Sequence, residues 1–206
     1  HTFLRNWIAA NGVAEAAGLG TTFVLGTAVA PLLEADRGIT GVVGVTILAV
    51  FFGTFLEGVV VGMAQGVVLE ARRPDVRRGA WVMATSLGAG LAWLVGMIPS
   101  TVMSLSAPPT GQSPIQEPAL IIQLLLAAGL GLVAGPILGG AQWAVLRRHL
   151  PRSVSWLWAN ALAWAFGMPV IFAGMNLVPW TGTAFVRAAA IYSVCLAAGL
   201  IVGAVH

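Results

Sequence analysis

Six long apolar stretches alternate with short polar segments along the chain, at about 7–33, 40–69, 80–105, 119–146, 154–178 and 183–205. Each reaches the roughly 20 residues that a helix needs to cross a bilayer. The second and fourth exceed that length, which predicts tilt or an emergent end. Pro31, Pro74, Pro151 and Pro179 fall near the ends of stretches, where a missing N–H is tolerated. Pro136 lies inside the fourth stretch beside Gly135 and predicts a kink there. The expected fold is all-α, an integral membrane bundle of six helices forming one domain over residues 1–206.

The apolar stretches repeat one another. Gly58-x3-Gly62-x2-Gln65 recurs as Gly135-x3-Gly139-x2-Gln142 and as Gly199-x3-Gly203-x2-His206. Leu91-Ala92-Trp93-x2-Gly96-Met97 recurs as Leu162-Ala163-Trp164-x2-Gly167-Met168, with Pro99 and Pro169 just beyond, which predicts bends at matching depth. The unit is a helical hairpin, seen at about 40–105 and again at 119–178. A third copy is split between 183–206 and 1–33, because Trp7-x3-Asn11-x2-Ala14-x3-Gly18 matches Trp156-x3-Asn160-x2-Ala163-x3-Gly167. Parallel copies of this kind relate by rotation about the membrane normal. The expectation is a pseudo-threefold bundle in which the sixth helix packs beside the first. Positions i, i+4 and i+7 share a helical face. Two glycines on that face let a second backbone come close, which is how helices associate in lipid.

Composition agrees with this class. Of 206 residues, 58% are hydrophobic and 8% charged, against about a quarter charged in soluble domains. The cations are all arginine, and the net charge of +3 sits in turns rather than in a nucleic-acid-binding patch. Arg72, Arg73, Arg77 and Arg78 occupy one turn, Arg147, Arg148 and Arg152 another, and Arg5 precedes the first stretch. The alternate loops carry only Arg37, beside Glu34 and Asp36, and segment 106–118 reads as an external linker. The positive-inside rule then predicts a bacterial inner-membrane protein with both termini cytoplasmic. Trp7, Trp81, Trp143, Trp156 and Trp158 are expected as anchors at the inner interface. No cleavable signal peptide is visible, since the first stretch is too long and carries Glu15. The chain starts with His1 and stops inside a repeat, so trimming at either end is expected.

Gly139-Gly140-Ala141-Gln142-Trp143-Ala144-Val145-Leu146-Arg147-Arg148, followed by a Trp-rich returning helix, resembles a group of uncharacterised bacterial multi-pass membrane proteins. Their tandem units read roughly G-x-x-Q-W-x-V-L-R. The first copy departs from that pattern, with Gly66 in place of the tryptophan and Glu70-Ala71 before the arginines. The group has no known activity, so the resemblance implies architecture and no residue roles. Six spans in about 200 residues are also similar, at the level of fold alone, to the substrate-binding subunits of energy-coupling vitamin importers.

Positions that differ between copies carry the candidate chemistry. Glu57 has Ala134 and Ala198 as counterparts, and Glu15 has Trp93 and Trp164. A carboxylate in a membrane span is costly and usually functional. Glu57 lies about 20 Å above the arginine-rich end of its helix and Glu15 about 12 Å above Trp7, so the two can meet. They then form a proton or cation site, because like charges do not both ionise cheaply. The alternatives are a protonated carboxyl bonded to a carbonyl, or pairing with another subunit; Glu15, nearer the interface, reads as structural. Gln65, Gln142 and His206 either tie helices together, the favoured reading, or ring a solute or pigment. His206 is a weak candidate ligand for a porphyrin-type pigment, and the cofactor is otherwise unknown. Arg187 is expected to snorkel outward, Cys195 to pack as a small apolar group, and His149 to face headgroups.

Reactive constellations are missing. No lysine is present for a Schiff base, Asp36 and Asp75 lie in loops, and three scattered histidines with one cysteine make no metal site. The expectation is a non-enzymatic accessory or scaffold subunit of a larger membrane assembly. It would contact lipid or pigment and pair with partner subunits or with itself. The alternative is a proton-coupled transporter of a small solute or ion using Glu57.

Overall fold

The computed structural model describes residues 1–34, 39–106 and 118–206. Every regular element among them is helical, and six helices are long and apolar enough to cross a membrane. These are α1 (Thr2–Val29), α2 (Ile39–Arg72), α3 (Arg78–Leu105), α4 (Leu120–Leu146), α5 (Ser155–Met175) and α6 (Ala184–Val205). The expected stretches are recovered, with α1 starting earlier, at Thr2. Pro99, Pro136 and Pro169 each lie inside one continuous helix. The linker expected at 106–118 and the Glu34–Arg37 loop lie largely outside the described residues.

Each helix packs on its neighbour in sequence, and α6 packs on α1. Close backbone approach at glycine makes these contacts. A Cβ at Gly58 would stand 2.6 Å from Ser86 Cα, and one at Gly62 would stand 2.9 Å from Val82 Cα, joining α2 to α3. A Cβ at Gly135 would strike the Asn160 carbonyl, and one at Gly139 would stand 2.8 Å from Asn160 Cβ, joining α4 to α5. A Cβ at Gly199 would stand 2.7 Å from Asn11 O, and one at Gly203 would stand 2.9 Å from Ile8 Cα, joining α6 to α1. The same glycine pair therefore performs the same task three times. Large apolar side chains point away from these seams. Val13, Met63, Leu125 and Phe166 are each more than half exposed, as a lipid-facing surface requires.

The tryptophans correct one expectation. Of the five expected at an interface, Trp158 faces outward, whereas Trp7 and Trp81 are buried. Those two build a core with Leu69, Val76 and Leu146 at the arginine-rich end, and Trp156 packs against it. Trp143 is half-buried beneath the Arg147 guanidinium, 5.1 Å from its ring. The indole N–H explains the inward preference, because Trp81 and Trp156 find glutamine acceptors inside the bundle. Arg187 meets its expectation differently. Its guanidinium donates to the carbonyls of Trp180 (3.3 Å) and Gly182 (3.0 Å), closing the α5–α6 turn.

The two arginine-rich turns are clipped together. Arg73 donates to Asp75 at 3.0 and 2.8 Å and to the His149 carbonyl at 2.9 Å. His149 Nδ1 lies 3.3 Å from Asp75, so this residue, expected to face headgroups, belongs to the clip. The Arg73 guanidinium holds the Asp75 carboxyl down at about 2. A folded value below the unfolded one of about 3.9 means the clip is at full strength above that value and is lost as pH falls through 2.

Two outcomes are expected. Asp75 should titrate near pH 2 by NMR in detergent and return to the ordinary carboxylate range in Arg73→Gln; an ordinary value in the unmodified chain would discount the clip. Gly135→Ala should lower stability by about 1–3 kcal/mol through overpacking, whereas Gly129→Ala, whose new Cβ meets nothing within 4 Å, should not lower it. Thermal unfolding in detergent distinguishes the two.

Candidate functional site

Glu15 and Glu57 come together in the interior, and the helices bend their own rules to bring them there. Residues Ala16–Gly20, directly after Glu15, form a π turn, and so do Gly53–Gly58, which contain Glu57. A π turn inserts an extra residue into an α-helix and marks functional sites often. It also disturbs the backbone bonding, and threonine hydroxyls donate to carbonyls beside both turns. Thr22 reaches Gly18 O at 3.0 Å, and Thr54 reaches Val50 O at 2.7 Å. The turns touch one another, since a Cβ at Gly18 would lie 2.7 Å from Glu57 Cα. The carboxyls are 2% and 6% exposed. Glu15 is therefore interior, deeper than its place in the sequence implies.

Glu57 has one clear partner. Trp93 Nε1 donates to Glu57 Oε2 at 2.7 Å. Gly53 makes this possible, because any side chain there would occupy the space of the Trp93 indole. Glu15 Oε2 has no hydrogen-bond partner among the described residues. Cys195 of α6, fully buried, lies within electrostatic reach of both carboxyls.

Glu57 opens onto a cavity of about 300 Å³. Its walls are apolar and aromatic: Leu19 and Phe23 from α1, Trp93 and Met97 from α3, Leu130 and Ala134 from α4, and Trp164, Met168 and Phe172 from α5. The Trp164 indole N–H is buried without an acceptor among the described residues. Phe23, Ile171 and Phe172 also border a wider depression reaching Gln123, Asn176 and Trp180, at the end away from the arginine-rich turns. The cavity and the depression thus share part of one wall.

The arginine-rich half is knit by buried side-chain hydrogen bonds. Trp156 Nε1 donates to Gln142 Oε1 (2.9 Å), and Gln142 Nε2 donates to Gln65 Oε1 (3.1 Å) and Thr85 Oγ1 (3.0 Å). Trp81 Nε1 donates to Gln65 Oε1 (3.2 Å). Gln65 Nε2 donates to Asn11 Oδ1 (2.8 Å), and Asn11 Nδ2 donates to the Trp7 carbonyl (2.8 Å). Five helices are joined in one buried network. His206 is not a member: its ring lies 4.7 Å from that of Trp156, and neither nitrogen has a partner among the described residues. The five polar residues singled out in the sequence therefore separate into two places. Glu57 lines the cavity and Glu15 is buried against Gly199 of α6, Gln65 and Gln142 knit the opposite half, and His206 stacks at its edge.

Sequence reasoning missed the cavity and the roles of Trp93 and Trp164. The repeated Leu-Ala-Trp pattern was their signal, since Glu15 occupies the third equivalent position. No group of metal-ligating side chains occurs among the described residues. Comparison with protein-family models, with curated proteins and with solved structures finds no match to the chain.

Gln142→Ala strips partners from Trp156, Thr85 and Gln65 at once and should lower stability by about 1–2 kcal/mol. His206→Ala removes only ring packing and should cost less. Equal losses in thermal unfolding would contradict the network.

Proposed function

We propose that this is a non-enzymatic membrane protein that binds a small, largely apolar solute and couples its movement to that of a proton, Glu57 being the coupling carboxyl. The observation that carries the reading is the Glu57 carboxyl facing an apolar cavity, with a second buried carboxyl, Glu15, just before the turn that packs on it. The protonation of a carboxyl in such surroundings depends on the charge of what occupies the cavity. The titratable groups around it are Glu15 from α1 and Cys195 from α6; the lining residues of α3, α4 and α5 supply none. The open depression and the hydrogen-bonded glutamine network support entry from the end away from the arginines. The arginine pattern supports an inner-membrane location with both termini cytoplasmic, so that this entry faces outward. The threefold recurrence of the glycine seam, α6 on α1 included, supports a pseudo-threefold bundle with the cavity near its axis. A scaffold would need glycine faces free to bind a partner. Those faces are occupied within the chain, which favours the solute reading.

Dicyclohexylcarbodiimide tests this directly, since it is a small apolar molecule that attacks protonated carboxyls. In proteoliposomes it should label Glu57, less as pH rises, and Glu57→Gln should abolish the adduct seen by mass spectrometry. Labelling confined to the exposed carboxylates Glu70 and Asp75 would remove Glu57 from the mechanism.

A further inference from the structure

We infer that the solute is a lipophilic organic cation, an amine or quaternary ammonium carried on an apolar body. The inference rests on the solute reading above and adds its charge. Among the described residues, Glu57 is the only ionisable one lining the cavity. Glu15, just before the turn that packs on Glu57, is buried with one oxygen unpartnered. Among the same residues, the cations that hold partners hold them elsewhere. Arg187 is engaged with the Trp180 and Gly182 carbonyls, Arg73 with Asp75, and Arg78 with Glu70. A buried carboxyl pair without a counter-ion is completed by a proton or by a cation that arrives from outside. The walls favour the second partner as well as the first. Phe23 and Trp93 stand 6.1 Å apart at 59°, with Trp164 and Phe172 on the opposing helix. Aromatic faces attract weakly hydrated cations and do so most strongly when water is excluded. An anion meets a carboxylate and, as donors among the described residues, only indole N–H and the Ser100 hydroxyl, which is already given to the Met97 carbonyl. A neutral body of the same shape gains the apolar contacts alone. The cavity, at about 300 Å³, admits a body of one or two rings with its ammonium head. Proton and cation then compete for one carboxyl, so entry of the cation releases the proton and the two exchange across the same group.

Two ligands of one shape separate charge from fit. Benzyltrimethylammonium and neopentylbenzene differ only by nitrogen in place of the quaternary carbon. Binding to the full chain in nanodiscs, read by tryptophan fluorescence with empty nanodiscs subtracted, should favour the cation at least about tenfold at pH 8. Lowering the pH to 5 should weaken the cation and leave the neutral ligand unchanged. Glu57→Gln should bring the two to parity while the neutral ligand still binds. In the unmodified chain, the cation should also protect Glu57 from dicyclohexylcarbodiimide, a readout that needs no variant to fold. Equal or tighter binding of neopentylbenzene would overturn the cation inference and leave the solute site standing. Failure of both ligands to bind would overturn the inference and the solute reading together.

Discussion

Lipid tails are as apolar as leucine, so helices in a bilayer gain nothing by hiding apolar surface from one another. What holds this bundle together is close backbone approach, and that approach depends on glycine. The seams at Gly58–Gly62, Gly135–Gly139 and Gly199–Gly203 bring neighbouring helices within reach of polar groups that longer side chains would keep apart. Asn11 and Asn160 lie against two of these seams, and the glutamines one turn further on complete the bonding. The bundle is thus tight and polar at one end because it is glycine-rich there. At the other end the wall residues are larger, and space remains.

The two carboxyls exploit that difference. Each sits at a π turn, each turn carries glycines, and the turns face each other at the point where tight packing gives way to the cavity. Trp93 links the two regimes. Its indole fits only because residue 53 has no side chain, and its N–H fixes one oxygen of Glu57. In the sequence, Glu15 stands where the two matching patterns carry Trp93 and Trp164.

Much of this was legible in the sequence for a physical reason. Lipid imposes length and apolarity on a spanning helix, so the six stretches stood out with their ends nearly correct. The glycine seams were legible because a close contact requires two small residues one turn apart, and that spacing survives in each copy. Other features were not. A π turn leaves no mark in composition, so the spacing of residues permits Glu15 to approach Glu57 without requiring it. The burial of Trp81 uses an acceptor from another helix, Gln65, and no local pattern announces a partner 16 residues away. The cavity is a property of several helices at once and has no sequence signature.

The bonds between Trp156 and Trp7 all point the same way. Indole gives to amide, amide to amide, and the last amide to a backbone carbonyl, so the row runs in one sense from end to end. None of these groups ionises near neutral pH, so the row has no member able to take up one proton and hand on another. The row itself therefore relays no proton between the arginine-rich end and Glu57.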